Sequence, residues 1–282
     1  MADPVADTGS WEAAVAWLAA QPDYADVLAD AYLDQPLRRA AERYRASSEW
    51  AALQQWLPPS RGRALDLGAG NGILAYAAAA DGWQTTAIEP DPSLTVGAGA
   101  IRALAAETGV TIDVVEAFGE QLPVADASFD VAFARQVLHH ARDLGSLCAE
   151  LARVTKPGGL VVTLRDHVIS DSTQLQPFLD SHLLHNRYGG ENAFTVSEYR
   201  GALEAAGLTI VRALGSFASP INYGPQSDAG IRAAVVGRAR RIPGAATVVR
   251  ALPFATLTRL LGFVDRRPGR LWSFICQKPK AA

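Results

Sequence analysis

A chain of 282 residues with 49% hydrophobic and 20% charged residues has a globular composition and enough length to bury a sizeable core. Its net charge of −3 and its lack of any uncharged apolar run of bilayer length argue against nucleic-acid-binding and membrane-spanning classes. Cys148 and Cys276 stand in no metal-ligand spacing and read as reduced, packed thiols; the acidic opening Met1-Ala-Asp-Pro-Val-Ala-Asp7 lacks a secretory layout, so cytoplasmic placement is expected.

Residues 10–57 read as helices, with Trp11, Val15 and Leu18 on one face, then Val27, Tyr32 and Leu33, then Leu37, Ala41 and Tyr44. Pro22, Pro36 and Pro58-Pro59 break them. This block is expected to form a helical cap over residues 1–60, ahead of an α/β domain over 61–282. Strands are predicted near 63–67, 84–88, 111–115, 129–134, 159–165 and 208–213, with helices near 72–81, 92–107, 143–153 and 195–206. Alternation of short strands with helices implies a mostly parallel sheet with right-handed crossovers. Thr195-Val-Ser-Glu198 is a capping box and Gly207 a C-terminal cap. Two insertions are expected, an irregular polar one at 166–194 and an apolar, arginine-studded one at about 226–265. Arg270–Cys276 reads as a final antiparallel strand at the sheet edge.

Ala64-Leu-Asp66-Leu-Gly68-Ala-Gly70-Asn-Gly72 is the most informative stretch: a buried strand, a turn with glycine at every second position, then a helical apolar run. Such a turn presents free N–H groups and a helix N-terminus to an anionic group. The dinucleotide pattern G-x-G-x-x-G fails, because Ile73 occupies the third glycine position. The observed D-x-G-x-G-x-G resembles motif I of the class I S-adenosylmethionine-dependent methyltransferases. Ala87-Ile-Glu89-Pro-Asp91, the run Leu122-Pro123 through His139-His140, and Val154-Thr-Lys-Pro-Gly-Gly-Leu160 are similar to that family's later motifs, in order.

The resemblance covers about residues 60–215. It implies a Rossmann-like α/β fold, a seven-stranded mostly parallel sheet with an antiparallel final strand, and S-adenosylmethionine as cofactor. Asp66 would lie near the methionine ammonium, the backbone of Gly68, Ala69, Gly70 and Asn71 near its carboxylate, and Glu89, followed by Pro90, on the ribose hydroxyls. Phe118 stands where the family often has an adenine-binding acid, so Phe118 and Gly119 would hold adenine by stacking and backbone contacts. Arg135, at the end of the fourth strand, completes the expected cofactor set.

All five histidines lie between 139 and 185, where the carboxyl ends of the fourth and fifth strands should bound a crevice. His167, oriented by Asp166, is the expected general base for methyl transfer to an O, N or C nucleophile, with His140 second. Arg165, His182, His185, Tyr188, Glu191, Asn192, Asn222 and Tyr223 are the expected substrate contacts. His182 and His185 share a helical face and could join His167 and Glu191 around an ion, but nothing fixes the remaining ligands and no metal is assigned. The same fold could instead bind the cofactor as an enzyme of other chemistry or as a regulator.

Residues 226–282 hold eleven Lys/Arg against Asp228 and Asp265, a balance of +9, which leaves −12 on the rest of the chain. The expected substrate is a small molecule, anionic if this basic segment binds it, and no nucleic-acid partner is expected. Residues 226–265 suit peripheral membrane contact, but a substrate lid or a homodimer interface together account for the same pattern better.

Overall fold

A computed structural model describes residues 10–280. Four helices lead: α1 (Trp11–Ala19), α2 (Ala25–Asp30), α3 (Leu37–Arg45) and α4 (Ser48–Gln54). The alternating part follows as β1 (Arg63–Leu67), α5 (Ile73–Ala80), β2 (Gln84–Ile88), α6 (Ala98–Thr108), β3 (Ile112–Val115), β4 (Phe129–Arg135), α7 (Leu144–Val154) and β5 (Thr155–Ile169). Then come α8 (Leu175–Ser181), α9 (His185–Tyr188), β6 (Phe194–Thr195), α10 (Val196–Ala205), β7 (Thr209–Leu214) and α11 (Pro220–Tyr223). Three helices, α12 (Asp228–Ala239), α13 (Ala245–Ala251) and α14 (Phe254–Val264), precede β8 (Arg270–Gln277).

The sheet runs β3-β2-β1-β4-β5-β8-β7, with β1 to β5 parallel and β8 antiparallel to both its neighbours. Two expectations are corrected. The sheet has eight strands rather than seven, because the two-residue β6 pairs with the end of β5. The final strand is interior rather than at the edge. Ser273, Phe274, Ile275 and Cys276 of β8 are buried without interruption, whereas β7 exposes Thr209, Val211 and Arg212 and serves as the edge. Helix α6 also starts later than predicted. Residues 92–97 instead form a turn in which Asp91 O accepts from Ala98 N and a Cβ on Gly97 would lie 2.2 Å from Asp91 O.

Each sheet face carries its own core. Tyr44 and Trp50 from α3 and α4 join Leu74 of α5 against Phe133, Val162 and Ile275. Leu147 and Leu151 of α7 and Tyr199 of α10 cover Leu65, Ala132, Val161 and Phe274. The leading block therefore divides. Helices α3 and α4 are part of the sheet's cover, fastened where Trp50 Nε1 and Gln54 Nε2 donate to Asp81 at the end of α5. Helices α1 and α2 form a small separate cluster in which Val15, Leu18 and Leu28 meet Val96, Leu183 and Leu184. They thus roof the turn after β2 and the segment around α9.

The 166–194 insertion is more regular than expected: Asp166 and His167 still belong to β5, and α8, α9 and β6 follow. In the later insertion, Arg232 Nη1 donates to the carbonyls of Val249 and Leu252 at 2.9 and 2.8 Å, capping the end of α13. Among the described residues no helix is long and apolar enough to cross a membrane.

Candidate active site

The turn from β1 into α5 is built as its glycines demand. Gly68 and Gly70 have φ of +62° and +56°, in the left-handed region that costs a side-chain-bearing residue about 1 kcal/mol or more. They differ in surroundings: a Cβ on Gly68 would lie 2.6 Å from Val137 Cγ2, whereas one on Gly70 would meet nothing within 4 Å. Gly68 is small because the loop after β4 packs on it; Gly70 lines open space. Gly68→Ala is accordingly expected to lower the melting temperature, and adding Val137→Ala should recover part of that loss. Equal melting temperatures for Gly68→Ala and wild type would show that the loop relaxes freely.

Two carboxylates serve this turn. Glu89, at the end of β2, accepts from Gly70 N at 2.7 Å through Oε2 and from Asp91 N at 2.9 Å through Oε1, joining the first two loops. Each oxygen keeps a second lone pair for a ligand. Asp66 is buried, and its Oδ2 has no hydrogen-bond partner. Burial raises both acids to a pKa of about 7. Asn71 Nδ2 donates to Tyr32 O at 2.8 Å, fastening the turn to the end of α2. Ala69 is buried and its N–H donates to Ile88 O; Pro90 is exposed at the rim. Phe118 is 62% exposed beneath the Arg142 guanidinium, while a Cβ on Gly119 would run into Leu147 Cδ1.

Beyond the glycine turn, the 3-10 turn Leu138–His140 after β4 begins one residue past Val137. It brings His139 against β5. His139 Nδ1 lies 3.0 Å from Asp166 Oδ1 and its Nε2 lies 3.4 Å from Glu191 Oε2. Burial disfavours the charged ring, but the hydrogen bond to Asp166 and the nearby Glu191 carboxylate outweigh it and hold the pKa at about 9. Glu191 answers in the opposite sense: despite burial, the histidines around it hold its carboxyl down at about 2. His167 meets His139 at a ring separation of 4.6 Å, and its Nδ1 lies 2.9 Å from Gly269 O. Burial lowers His167 to about 3. His140 is half-exposed, with Nδ1 2.9 Å from Gly190 O. His182 Nδ1 accepts from His185 N and stands 4.0 Å from Glu191.

Several expected site residues do other work. Asp166 orients His139, not His167, because consecutive strand residues point to opposite faces. A register shift between Thr163 and Asp166, with Arg165 at φ +61°, strengthens that divergence. Arg165 turns to the other side of the sheet, where Nη1 donates to the carbonyls of Ile221 and Gly224 at 3.1 and 2.8 Å. Arg135 is likewise engaged inside the fold: its Nε donates to Glu49 Oε1 at 2.7 Å and its guanidinium lies over the Tyr44 ring. A buried cation needs a buried anion, and α4 supplies it. Asn222 is buried, donating to Leu214 O and accepting from Ser273 Oγ, and Tyr223 donates to Asp228 at the start of α12. Tyr188 packs on Trp11, and Asn192 Oδ1 accepts from Ala193 N. The structure therefore unites His139, His140, Asp166, His167, His182 and Glu191, and leaves Arg135, Arg165, Asn222 and Tyr223 in structural roles. Glu49 escaped the sequence reading because an acid in the first turn of a helix is an ordinary feature.

Residues 65–163 match a family model described as a methyltransferase domain. A ubiquinone biosynthesis O-methyltransferase from Methylobacterium nodulans is 30% identical over 161 residues, covering 56% of this chain and 64% of that protein. An uncharacterized methyltransferase from Mycobacterium bovis is 34% identical over 188 residues, 64% of this chain and 65% of its own length. The chain thus spans between about a third and two thirds of the length of the curated relatives it matches. Among solved structures, geranyl diphosphate C-methyltransferase from Streptomyces coelicolor, in complex with Mg2+, geranyl diphosphate and S-adenosyl-L-homocysteine, superposes with a TM-score of 0.56. It is 13% identical, with 87% of this chain and 85% of that chain covered, a likeness of fold. Residues 65–163 are thus similar to a methyltransferase domain, and the chain shares the fold of solved methyltransferases.

Proposed function

We propose that the protein transfers the methyl group of S-adenosylmethionine to an O, N or C nucleophile of a small molecule held between the glycine turn and the histidine cluster. The observation that carries this reading is the pairing of the buried Asp66, whose Oδ2 has no partner, with a glycine turn clasped by Glu89. These are an acceptor for the cofactor's ammonium and two acceptors for its ribose hydroxyls. In the reaction the nucleophile attacks the methyl carbon in line, the C–S bond breaks, and its electron pair returns to sulfur. Alignment supplies much of the rate, since the sulfonium is already a good leaving group.

Where the acceptor carries a proton, His140 is the residue placed to take it. Its Nδ1 faces the Gly190 carbonyl, which only accepts, so Nε2 holds the free lone pair. Burial and the nearby His139 keep its pKa below the usual imidazole value, so the neutral ring prevails near pH 7. His167, held down at about 3, is too weak a base for the task that its position at a strand end suggested. Packing of α1 and α2 over the α9 segment supports a small acceptor rather than a polymer.

Calorimetric titration with S-adenosylmethionine tests the reading, with labelled cofactor and extracted metabolites to reveal the product. Absence of binding by the folded wild-type protein would end it. A pH dependence is also expected. With Asp66 and Glu89 near 7, affinity for the cationic ligand should fall from pH 8 to pH 6, by about tenfold per group that protonates. Stability of the ligand-free protein should move the other way. An acid raised by folding stabilises while protonated, fully below its unfolded value, and that contribution is lost as pH rises through about 7. Affinity that is flat between pH 6 and 8 would remove both carboxylates from the ligand's grip.

A further inference from the structure

We propose that His139, His167 and Glu191 bind one divalent transition-metal ion, with Asp166 and the Gly269 carbonyl orienting the two imidazoles. The three residues come from separate segments: the 3-10 turn after β4, β5 itself, and the loop after α9. Their ligand atoms all lie within 4.8 Å of one another. Ligands at about 2.0–2.2 Å from an ion sit roughly 3–3.5 Å apart, so the set has to contract by about 1 Å. Of the three, only His167 stands on a strand of the sheet; His139 and Glu191 lie in the connecting segments.

Orientation of the rings fits ligation. Gly269 O can only accept, so the His167 Nδ1 at 2.9 Å carries the proton and Nε2 keeps the lone pair. Asp166 Oδ1, 3.0 Å from His139 Nδ1, fixes the second ring in the same sense and leaves Nε2 directed to Glu191. A carboxylate or carbonyl behind each imidazole is the arrangement that raises ligand basicity and holds ring orientation in metal sites.

The cluster is also short of partners. Glu191 Oε2 and Asp166 Oδ2 are buried and accept no hydrogen bond, in residues whose side chains are 7% and 0% exposed. Buried acceptors of this kind are costly unless something satisfies them. The titratable groups set against Glu191 among the described residues are histidines: His139, His140 and His182, the last two at 4.0 Å, and His167, whose ligand nitrogen lies within 4.8 Å of it. Two imidazoles and one carboxylate select zinc, iron, cobalt or nickel over magnesium or calcium, which prefer all-oxygen sites. Three protein ligands leave positions for water or for an acceptor oxygen. On the methyl-transfer reading, an acceptor hydroxyl bound there would lose its proton to His140 Nε2 before its oxygen attacks the methyl carbon. Only that role, not the binding itself, rests on the methyl-transfer reading.

The test uses untagged full-length protein dialysed against EDTA, titrated with Co2+ under visible spectroscopy and then with Zn2+ or Mg2+. One Co2+ per chain with visible d–d absorption is expected, displaced by Zn2+ and not by Mg2+. His167→Ala and Glu191→Gln should each weaken binding at least 100-fold, and Asp166→Asn by about 10–100-fold. Circular dichroism and calorimetry with S-adenosylmethionine on the same samples establish that each variant is folded. The inference is overturned if wild type binds no Co2+ or binds it no more tightly than the folded His167→Ala and Glu191→Gln variants. Thiolate charge-transfer bands would also overturn it, by moving the ion to Cys148 or Cys276. Cofactor binding without metal binding would sink this inference alone; metal binding without cofactor binding would sink only the methyl-transfer reading.

Discussion

Glu49→Ala is expected to destabilise the protein by roughly 3–5 kcal/mol, because it strands buried guanidinium charge. Glu49 is 1% exposed and its Oε1 and Oε2 lie 2.7 and 3.2 Å from Arg135 Nε and Nη2. Oε2 is also 3.4 Å from Arg165 Nη1. One carboxylate on α4 thus answers two arginines at the ends of β4 and β5, whose side chains are only 10% and 11% exposed. Arg165 would keep its carbonyl partners at Ile221 and Gly224. Arg135 would keep the faces of Tyr44 and Tyr32, which do not replace a carboxylate. The melting temperature should fall by roughly 10 °C, with a matching drop in denaturant midpoint. Glu49→Gln, which keeps the volume and one acceptor, should fall between Glu49→Ala and wild type. A drop of less than 2 °C for Glu49→Ala would mean that water reaches the arginines and that this junction does not hold α4 to the sheet.

That junction marks the limit of what could be read from the chain. The β1 turn was legible because positive φ and close approach at Gly68 leave glycine little alternative, and Glu89 was legible because a strand-end acid follows at the expected distance. Both signals are local. Arg135 and Arg165 looked like ligand contacts because each stands at a strand end; the partner that claims them lies 86 residues before Arg135 and is set by tertiary packing. Asp166 and His167 looked like a pair because they are adjacent, and strand alternation with the bulge at Arg165 separated them. The position of β8 was hidden for another reason. A short apolar run fits an edge or an interior strand equally well, and only its pairing with both β5 and β7 decides. In the histidine cluster the residue types were visible, but His139 acquired its meaning from Asp166 and Glu191, 27 and 52 positions away.

Glu89→Gln is expected to weaken S-adenosylmethionine binding by roughly 100-fold while leaving the fold intact. The two oxygens of Glu89 accept from Gly70 N and Asp91 N on different loops, so the side chain is both a ligand group and the clasp that sets the glycine turn against β2. Glutamine can serve only one of those N–H groups, since its amide nitrogen is a donor and would meet the other donor head-on. One loop is then released, and the ribose hydroxyls lose a charged acceptor worth about 1.5–3 kcal/mol. A loss of about 3 kcal/mol corresponds to about a 100-fold rise in Kd. Stability should fall far less than in Glu49→Ala, because Gly70 borders open space and its freed N–H can reach water. Calorimetry checks both halves. The variant should also lose the part of the pH dependence between 6 and 8 that comes from residue 89, retaining only that of Asp66. Binding within threefold of wild type would detach Glu89 from the ligand and reduce it to a brace between two loops; unfolding would show that the clasp, not the ribose contact, is its main duty.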